Sequence, residues 1–258
     1  MFRFLIILVG AFGVNLFITN CSTSYLPEGN EWELIENSSD EFIGDDLNNN
    51  KWNKYLWYDS SGVLGFNQSN VFIKNGLLNL EADKFENNDS AWSIGAVESV
   101  FDVPGQTSFI EIRAKLLPYK ANVLSAIWLQ SWPSVQNNPN PEIDVHEYFF
   151  EKTISMNLHE WSKKSDGTYD HVDYGGRHFQ YDEILSDNFH LWGLERINGR
   201  IRFYFDGIML EEWIVPDSSF VNLPRHIVLS LEGHNGIPDN RFLPAVFQID
   251  YVRTYKSK

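Results

Sequence analysis

Beyond Ser38 the chain consists of short runs of apolar and polar residues separated by turn residues. Phe109-Ile-Glu-Ile-Arg-Ala-Lys-Leu116 alternates apolar with charged positions, as a half-buried strand does. Val71-Phe-Ile-Lys74 and Leu77-Leu-Asn-Leu-Glu81 flank Asn75-Gly76. That dipeptide is the strongest short-range hairpin signal, because a two-residue type I′ loop needs positive φ at both positions. Asn198-Gly199 repeats the arrangement between residues 191–197 and Ile201-Arg-Phe-Tyr-Phe205, and Asp206-Gly207 closes the next turn. Ala121-Asn-Val-Leu-Ser-Ala-Ile-Trp-Leu-Gln130 reads as an interior strand. No window of a dozen residues carries clean helical periodicity, and Tyr181-Asp-Glu-Ile-Leu185 is the one stretch expected to make a single helical turn. There is no repeat of fixed period. Many short strands without helices predict an all-β fold, a two-sheet antiparallel sandwich. At 258 residues, one undivided domain over 38–258 accounts for the chain.

The first 20 residues differ in character. One cation, Arg3, precedes an apolar run from Phe4 to Ile18 broken by Gly10, Gly13 and Asn15. This reads as a secretory signal over residues 1–20, shorter than the ~20 apolar residues of a membrane span. An uncleaved anchor is the alternative. Cys21 is the only cysteine, so no disulfide forms within the chain. A lone cysteine directly after a signal core resembles the lipidation site of a bacterial lipoprotein, although Asn20 replaces the usual small residue before it. Residues 21–37 then read as a polar tether. An exported monomer follows, either held at the outer membrane or cell surface by lipid or secreted. The formal net charge of −15 disfavours nucleic acid and anionic membrane surfaces as partners. It argues mildly against a highly sulfated substrate as well, unless a local basic cleft overrides it.

The chemistry concentrates in Pro141-Glu-Ile-Asp-Val-His-Glu-Tyr148. Strand side chains alternate faces, so Glu142 and Asp144 point the same way while Glu147, five positions after Glu142, points the other way. A β-bulge at Val145-His146 returns Glu147 to the face of the other two, and bulges of this kind often re-aim side chains beside active sites. Three carboxylates so placed repel, which raises at least one pKa towards neutrality. A solvated acidic edge strand is the plain alternative. The apolar flank of Ile143, Val145, Tyr148, Phe149 and Phe150 speaks against it, since charge at the centre of a buried-strand pattern is usually functional.

Glu142-Ile-Asp-Val-His-Glu147 resembles the signature of glycoside hydrolase family 16 in its bulged E-x-D-x-x-E form, the form of agarases, porphyranases, carrageenases and laminarinases. Residues 121–130, Ser155-Met-Asn-Leu-His159 and Phe247-Gln-Ile-Asp-Tyr-Val-Arg-Thr-Tyr255 are similar to the family's neighbouring and final strands. The resemblance covers residues 38–258. It implies a jelly roll with a concave substrate cleft, and a retaining double-displacement hydrolase of β-glycosidic bonds. Glu142 would be the nucleophile, Glu147 the acid/base and Asp144 the helper between them. Retention needs carboxyl groups about 5–5.5 Å apart. The two Glu backbones stand ~13 Å apart on an extended strand, so their side chains must lean together.

Pyranose rings pack their C–H faces on aromatic side chains, and Trp57, Trp128, Trp132 and Trp161 are the candidates for the cleft. Trp52, Trp92, Trp192 and Trp213 are expected to be structural. His159, one strand after the motif, resembles a family substrate contact, Glu232 ends an apolar strand expected beside the cleft, and His146 is a weaker candidate. No catalytic metal or organic cofactor is expected; Asp40, Glu41 and Asp250 are carboxylates that the resemblance allows for a structural calcium ion. H-E-x-x-H and G-x-S-x-G are absent. The expected substrate is a red-algal galactan, agar- or porphyran-like or a carrageenan. The alternatives are a laminarinase-like β-1,3-glucanase and, in another class, a non-catalytic carbohydrate-binding sandwich.

Overall fold

The computed structural model describes residues 24–58, 63–85, 91–130, 139–215, 219–233 and 236–258. Its strands, in chain order, begin with β1 (Trp32–Leu34), β2 (Trp52–Asn53), β3 (Leu64–Phe66), β4 (Val71–Lys74), β5 (Leu77–Lys84) and β6 (Trp92–Ile94). Next come β7 (Ala96–Ser99), β8 (Ser108–Lys115), β9 (Leu124–Gln130), β10 (Asn140–Glu147), β11 (Thr153–Lys163) and β12 (Tyr169–Asp173). The last are β13 (Arg177–Gln180), β14 (His190–Ile197), β15 (Arg200–Phe205), β16 (Ile208–Ile214), β17 (His226–Glu232) and β18 (Ala245–Ser257).

They form two sheets packed face to face as a jelly-roll sandwich. The ten-stranded sheet runs β16-β15-β14-β8-β18-β5-β6-β3, with β1 on β18 and β4 on β5. The eight-stranded sheet runs β12-β11-β10-β9-β17-β7-β2, with β13 also on β11. Its interior face carries Ile127, Leu129, Ile143, Leu158, Ile227 and Leu229, which pack against Leu78, Leu80, Ile112, Trp192, Phe203 and Phe247 of the other sheet. Each strand therefore splits its residues between a buried face and a second face. The second face of the eight-stranded sheet carries the chemistry.

The three two-residue turns form as their sequences predict. Asn75 and Gly76, Asn198 and Gly199, and Asp206 and Gly207 all have positive φ, and each pair joins strands in tight register. Tyr181–Leu185 makes no helical turn; the single α-helical turn among the described residues is Ser219–Asn222.

The polar stretch before Ser38 is not a free tether where it is described. Strand β1 pairs with the C-terminal strand β18, with Leu34 opposite Tyr255. Ahead of it, the Tyr25 N–H donates to Glu111 at 2.8 Å, and Ser24 hydrogen-bonds the Tyr255 hydroxyl at 2.8 Å. This segment covers the outer face of β8 and β18. Glu111, expected on a solvent-facing strand surface, is consequently 1% exposed and also accepts from the Tyr251 hydroxyl at 2.7 Å. Ser24, Tyr25 and Trp32–Leu34 thus contact the sandwich directly. Residues 1–20 and Cys21 lie outside the described residues.

Candidate active site

Strand β10 carries the bulge that its sequence requires. Against β9, Asp144 pairs with Trp128 and His146 with Ile127, so Val145 has no counterpart. Ile143 and Val145 face the hydrophobic core. His146 is fully buried too, stacked on Trp192 with ring centroids 4.2 Å apart, and its Nδ1 accepts from the Ser155 N–H at 3.2 Å. His146 thus belongs to the core and not to the cleft. With two successive residues turned inward, Glu147 returns to the face of Glu142 and Asp144. All three line a cavity of about 940 Å³ on the outer face of the eight-stranded sheet.

The neighbouring strands supply the polar contacts. Gln130, at the end of β9, donates from Nε2 to Glu142 Oε2 at 2.7 Å. Trp161, on β11, donates from its indole N–H to the same oxygen at 3.2 Å. On β11, His159 stands opposite Glu142, and its Nε2 lies 3.1 Å from Asp144 Oδ2. His159, Asp144 and Glu142 bring one polar atom each within 4.8 Å of one another. From β12, His171 shares a 2.9 Å hydrogen bond with His159 Nδ1 and stacks on Trp161 at 4.1 Å, with 17° between the rings. Two donors on one oxygen stabilise the charged form of Glu142, against the burial and neighbouring carboxylates that oppose it.

The family model for beta-porphyranase A-D, GH16 domain, matches residues 32–257. The chain belongs to glycoside hydrolase family 16. Beta-porphyranase E of Zobellia galactanivorans is 24% identical over 196 residues, covering 70% of this chain and 69% of that protein. Glucan endo-1,3-beta-glucosidase A1 of Niallia circulans is 24% identical over 264 residues, 85% of this chain but 37% of its own length. The chain therefore spans little more than a third of that relative. The solved structure of beta-agarase A from Zobellia galactanivorans superposes with a TM-score of 0.76 at 16% identity, covering 92% of this chain and 97% of that one. The last comparison bears on the fold alone.

In this family 16 site partial burial and mutual repulsion work against the charged carboxylates, and His159 offsets this only in part. Burial first, and then Asp144, push Glu147 up to about 8. Burial and then Asp173 push Asp144 up to about 8. Glu142 is raised well above its ordinary value by burial and Asp144, against the pull of His159. The group therefore holds protons that the unfolded chain has already released. An unfolded Glu or Asp loses its proton near pH ~4, so from there up to about pH 8 the folded state binds more protons than the unfolded one. Stability must then fall as pH rises through that window. Calorimetry at constant ionic strength should record a declining Tm from pH 5 to 8. Glu147→Gln should flatten the decline, and a slope unchanged in that variant would contradict the assignment.

The cavity floor continues away from the carboxylates as an aromatic cluster. Trp128, 7% exposed, donates from its indole N–H to Ser230 Oγ at 3.0 Å and meets the Trp57 ring edge-on at 5.6 Å. The Tyr58 hydroxyl donates to Glu232 Oε1 at 2.8 Å, which places Glu232 on the cleft wall. Trp161 also lines the cavity, but His171 covers one face of its ring. Trp132 lies outside the described residues. Trp128→Ala should lower kcat/KM by roughly tenfold, about 1.4 kcal/mol. Because this ring is also largely buried, it should lower stability by about 3–5 kcal/mol. Kinetics and urea unfolding measure the two separately, and native values of kcat/KM would remove Trp128 from substrate contact.

Gln130, Tyr58 and His171 were not singled out from the sequence as site residues. Gln130 is legible afterwards as the one polar residue ending the apolar run 124–130. Tyr58 and His171 had no local signal, since their strands and loops reach the cleft only through the fold. Among the carboxylates considered for calcium, Asp40 accepts from Phe42 N–H and the Trp52 indole. Glu41 pairs with Arg253 at 2.7 Å and Asp250 with Arg113 at 2.5 Å, so the three serve separate partners. Trp52 and Trp192 are each 1% exposed and Trp92 is 5% exposed, all in the core. Trp213 packs on Phe203 at 5.3 Å, with the Arg177 guanidinium 5.2 Å from its ring.

Proposed function

We propose that this chain is an exported, lipid-anchored or secreted retaining glycoside hydrolase that cleaves β-glycosidic bonds of a red-algal galactan, agar- or porphyran-like. The observation that carries the reading is the bulged strand, which turns Glu142, Asp144 and Glu147 onto one face at the floor of the cleft. A binding module has no use for three carboxylates crowded onto one face against their own repulsion, Asp144 buried and the two Glu half-buried. Glu142, with two donors on Oε2, is the nucleophile that forms the glycosyl ester. Glu147, protonated at neutral pH, protonates the leaving oxygen and then activates water. Asp144 sits between them and exchanges hydrogen-bonding state as charge moves.

The cleft's charge supports an unsulfated unit over the carboxylates. Among the described residues no Lys or Arg lines it. Outside them, Arg3 is the single Lys or Arg in the sequence. An agarose-like sugar needs no countercharge there, whereas a sulfate ester would sit among the acidic side chains of Glu142, Asp144, Glu147, Asp173 and Glu232 with no Lys or Arg in the described lining. The match to the Niallia circulans glucanase supports a β-1,3-glucan as the second reading. Product analysis on agarose, porphyran, κ-carrageenan and laminarin separates them. Proton NMR of the first-formed product should give the β anomer. An α anomer would mean inversion, with carboxyl groups about 6.5–9.5 Å apart and a water between them.

Lipid attachment at Cys21 is supported by its place directly after the apolar run. The full-length protein should fractionate with membranes, and Cys21→Ala should be released or remain unprocessed. Equal membrane retention of the variant would favour an uncleaved anchor.

A further inference from the structure

The register of β11 and β12 sets Trp161 directly opposite His171, and His159 opposite Asp173. Two positions apart on each strand, these four side chains share one face. His171 touches two of them. Its ring covers Trp161, whose indole N–H holds Glu142, and its Nε2 meets His159 Nδ1, whose far nitrogen faces Asp144. One exposed imidazole on the outermost strand of the sheet thus stands behind two of the three polar contacts of Glu142 and Asp144, Gln130 on β9 supplying the third.

We infer that His171 is a positioning residue of this site, setting through His159 which proton state Nε2 presents to Asp144 and bracing the indole that donates to Glu142. A neutral imidazole carries one N–H, and the partner of one nitrogen decides what the other offers. When Asp144 is ionised, His171 donates from Nε2 to His159 Nδ1, and His159 donates from Nε2 to Asp144. When Asp144 is protonated, it donates to His159 Nε2, and His159 Nδ1–H donates to His171 Nε2. Passing from the first arrangement to the second takes up one proton at His171 Nδ1. The two intervening N–H protons each shift one step, and one proton arrives on Asp144. Charge is balanced, with the exposed His171 Nδ1 exchanging its proton with solvent. The titratable groups facing this pair are Glu142, Asp144 and Glu147 from β10 and Asp173 from β12; β11 contributes the neutral Trp161.

The inference rests on the hydrolase reading, so the deciding experiment includes an arm that needs no substrate. Imidazole ¹⁵N NMR of the purified protein, native and His171→Phe, reports the His159 tautomer directly. Phe retains a flat ring over Trp161 and removes the nitrogen. The native protein should hold one His159 tautomer on either side of the Asp144 titration, and His171→Phe should mix the two. On the glycan that product analysis identifies, His171→Phe should lower kcat about tenfold with KM within about twofold, the loss of one hydrogen bond to a charged network. His171→Gln, whose amide both donates and accepts at similar reach, should recover most of that loss. An unchanged His159 tautomer in His171→Phe overturns the inference, as does native kcat in that variant. Equal kcat losses for Phe and Gln would reduce His171 to a mechanical prop and overturn it too. If no glycan is cleaved, the proposed activity fails while the NMR arm still decides the role of His171.

Discussion

Glu142→Gln should abolish turnover while leaving a folded protein that melts at the same temperature or higher. The amide keeps the shape of the carboxylate and still accepts from Gln130 and Trp161, whose donors sit 2.7 Å and 3.2 Å from Oε2. It cannot form a glycosyl ester, so kcat should drop on the order of 10⁴-fold or more. The stability change has the opposite sign for a stated reason. Glu142 is held among Asp144 and Glu147, and both raise the cost of its charge. Removing a buried like charge relieves the fold, the usual trade between activity and stability at a strained site. Steady-state assays and calorimetry on the same preparation test both halves. Residual activity within tenfold of native would remove Glu142 from the role of nucleophile.

Glu147→Gln should divide the two chemical steps. Without a proton donor, natural glycans with poor leaving groups should react 10²–10⁴-fold more slowly, about the range of general acid catalysis. Aryl glycosides with good leaving groups should still form the glycosyl-enzyme, which then accumulates because water lacks its base. Azide needs no base and should restore turnover with an azide product. The native pH profile should be a bell whose basic limb lies near the value of about 8 to which Glu147 is pushed. That limb should move or vanish in Glu147→Gln, and both limbs are macroscopic properties of the coupled carboxylates. Equal losses on natural and activated substrates, with no response to azide, would show that Glu147 does not transfer the proton.

Much of this site was legible in one stretch of sequence, because strand alternation is a local property. Glu142, Asp144 and Glu147 can share a face only if one residue between them is extra, and the apolar Ile143 and Val145 fix which face that is. The tight turns at Asn75, Asn198 and Asp206 were legible for the same reason, since positive φ is decided within a dipeptide. Which strands flank β10 is not local. Gln130 reaches Glu142 because β9 pairs with β10 in one register, and His171 reaches Trp161 because β12 pairs with β11 in another. Tyr58 meets Glu232 across 174 residues of chain. Residues 21–37 read as a tether because they are polar and short of strand pattern. The place of Tyr25 and of β1 on the sheet comes from Glu111 and from backbone groups of β18, which need partners that only the folded chain supplies. The sequence by itself therefore determined the sandwich, its tight turns and the three carboxylates on one face. Tertiary structure decided the hydrogen-bond donors, the histidine pair and the docking of β1 on β18, because those depend on pairings between segments far apart in the chain.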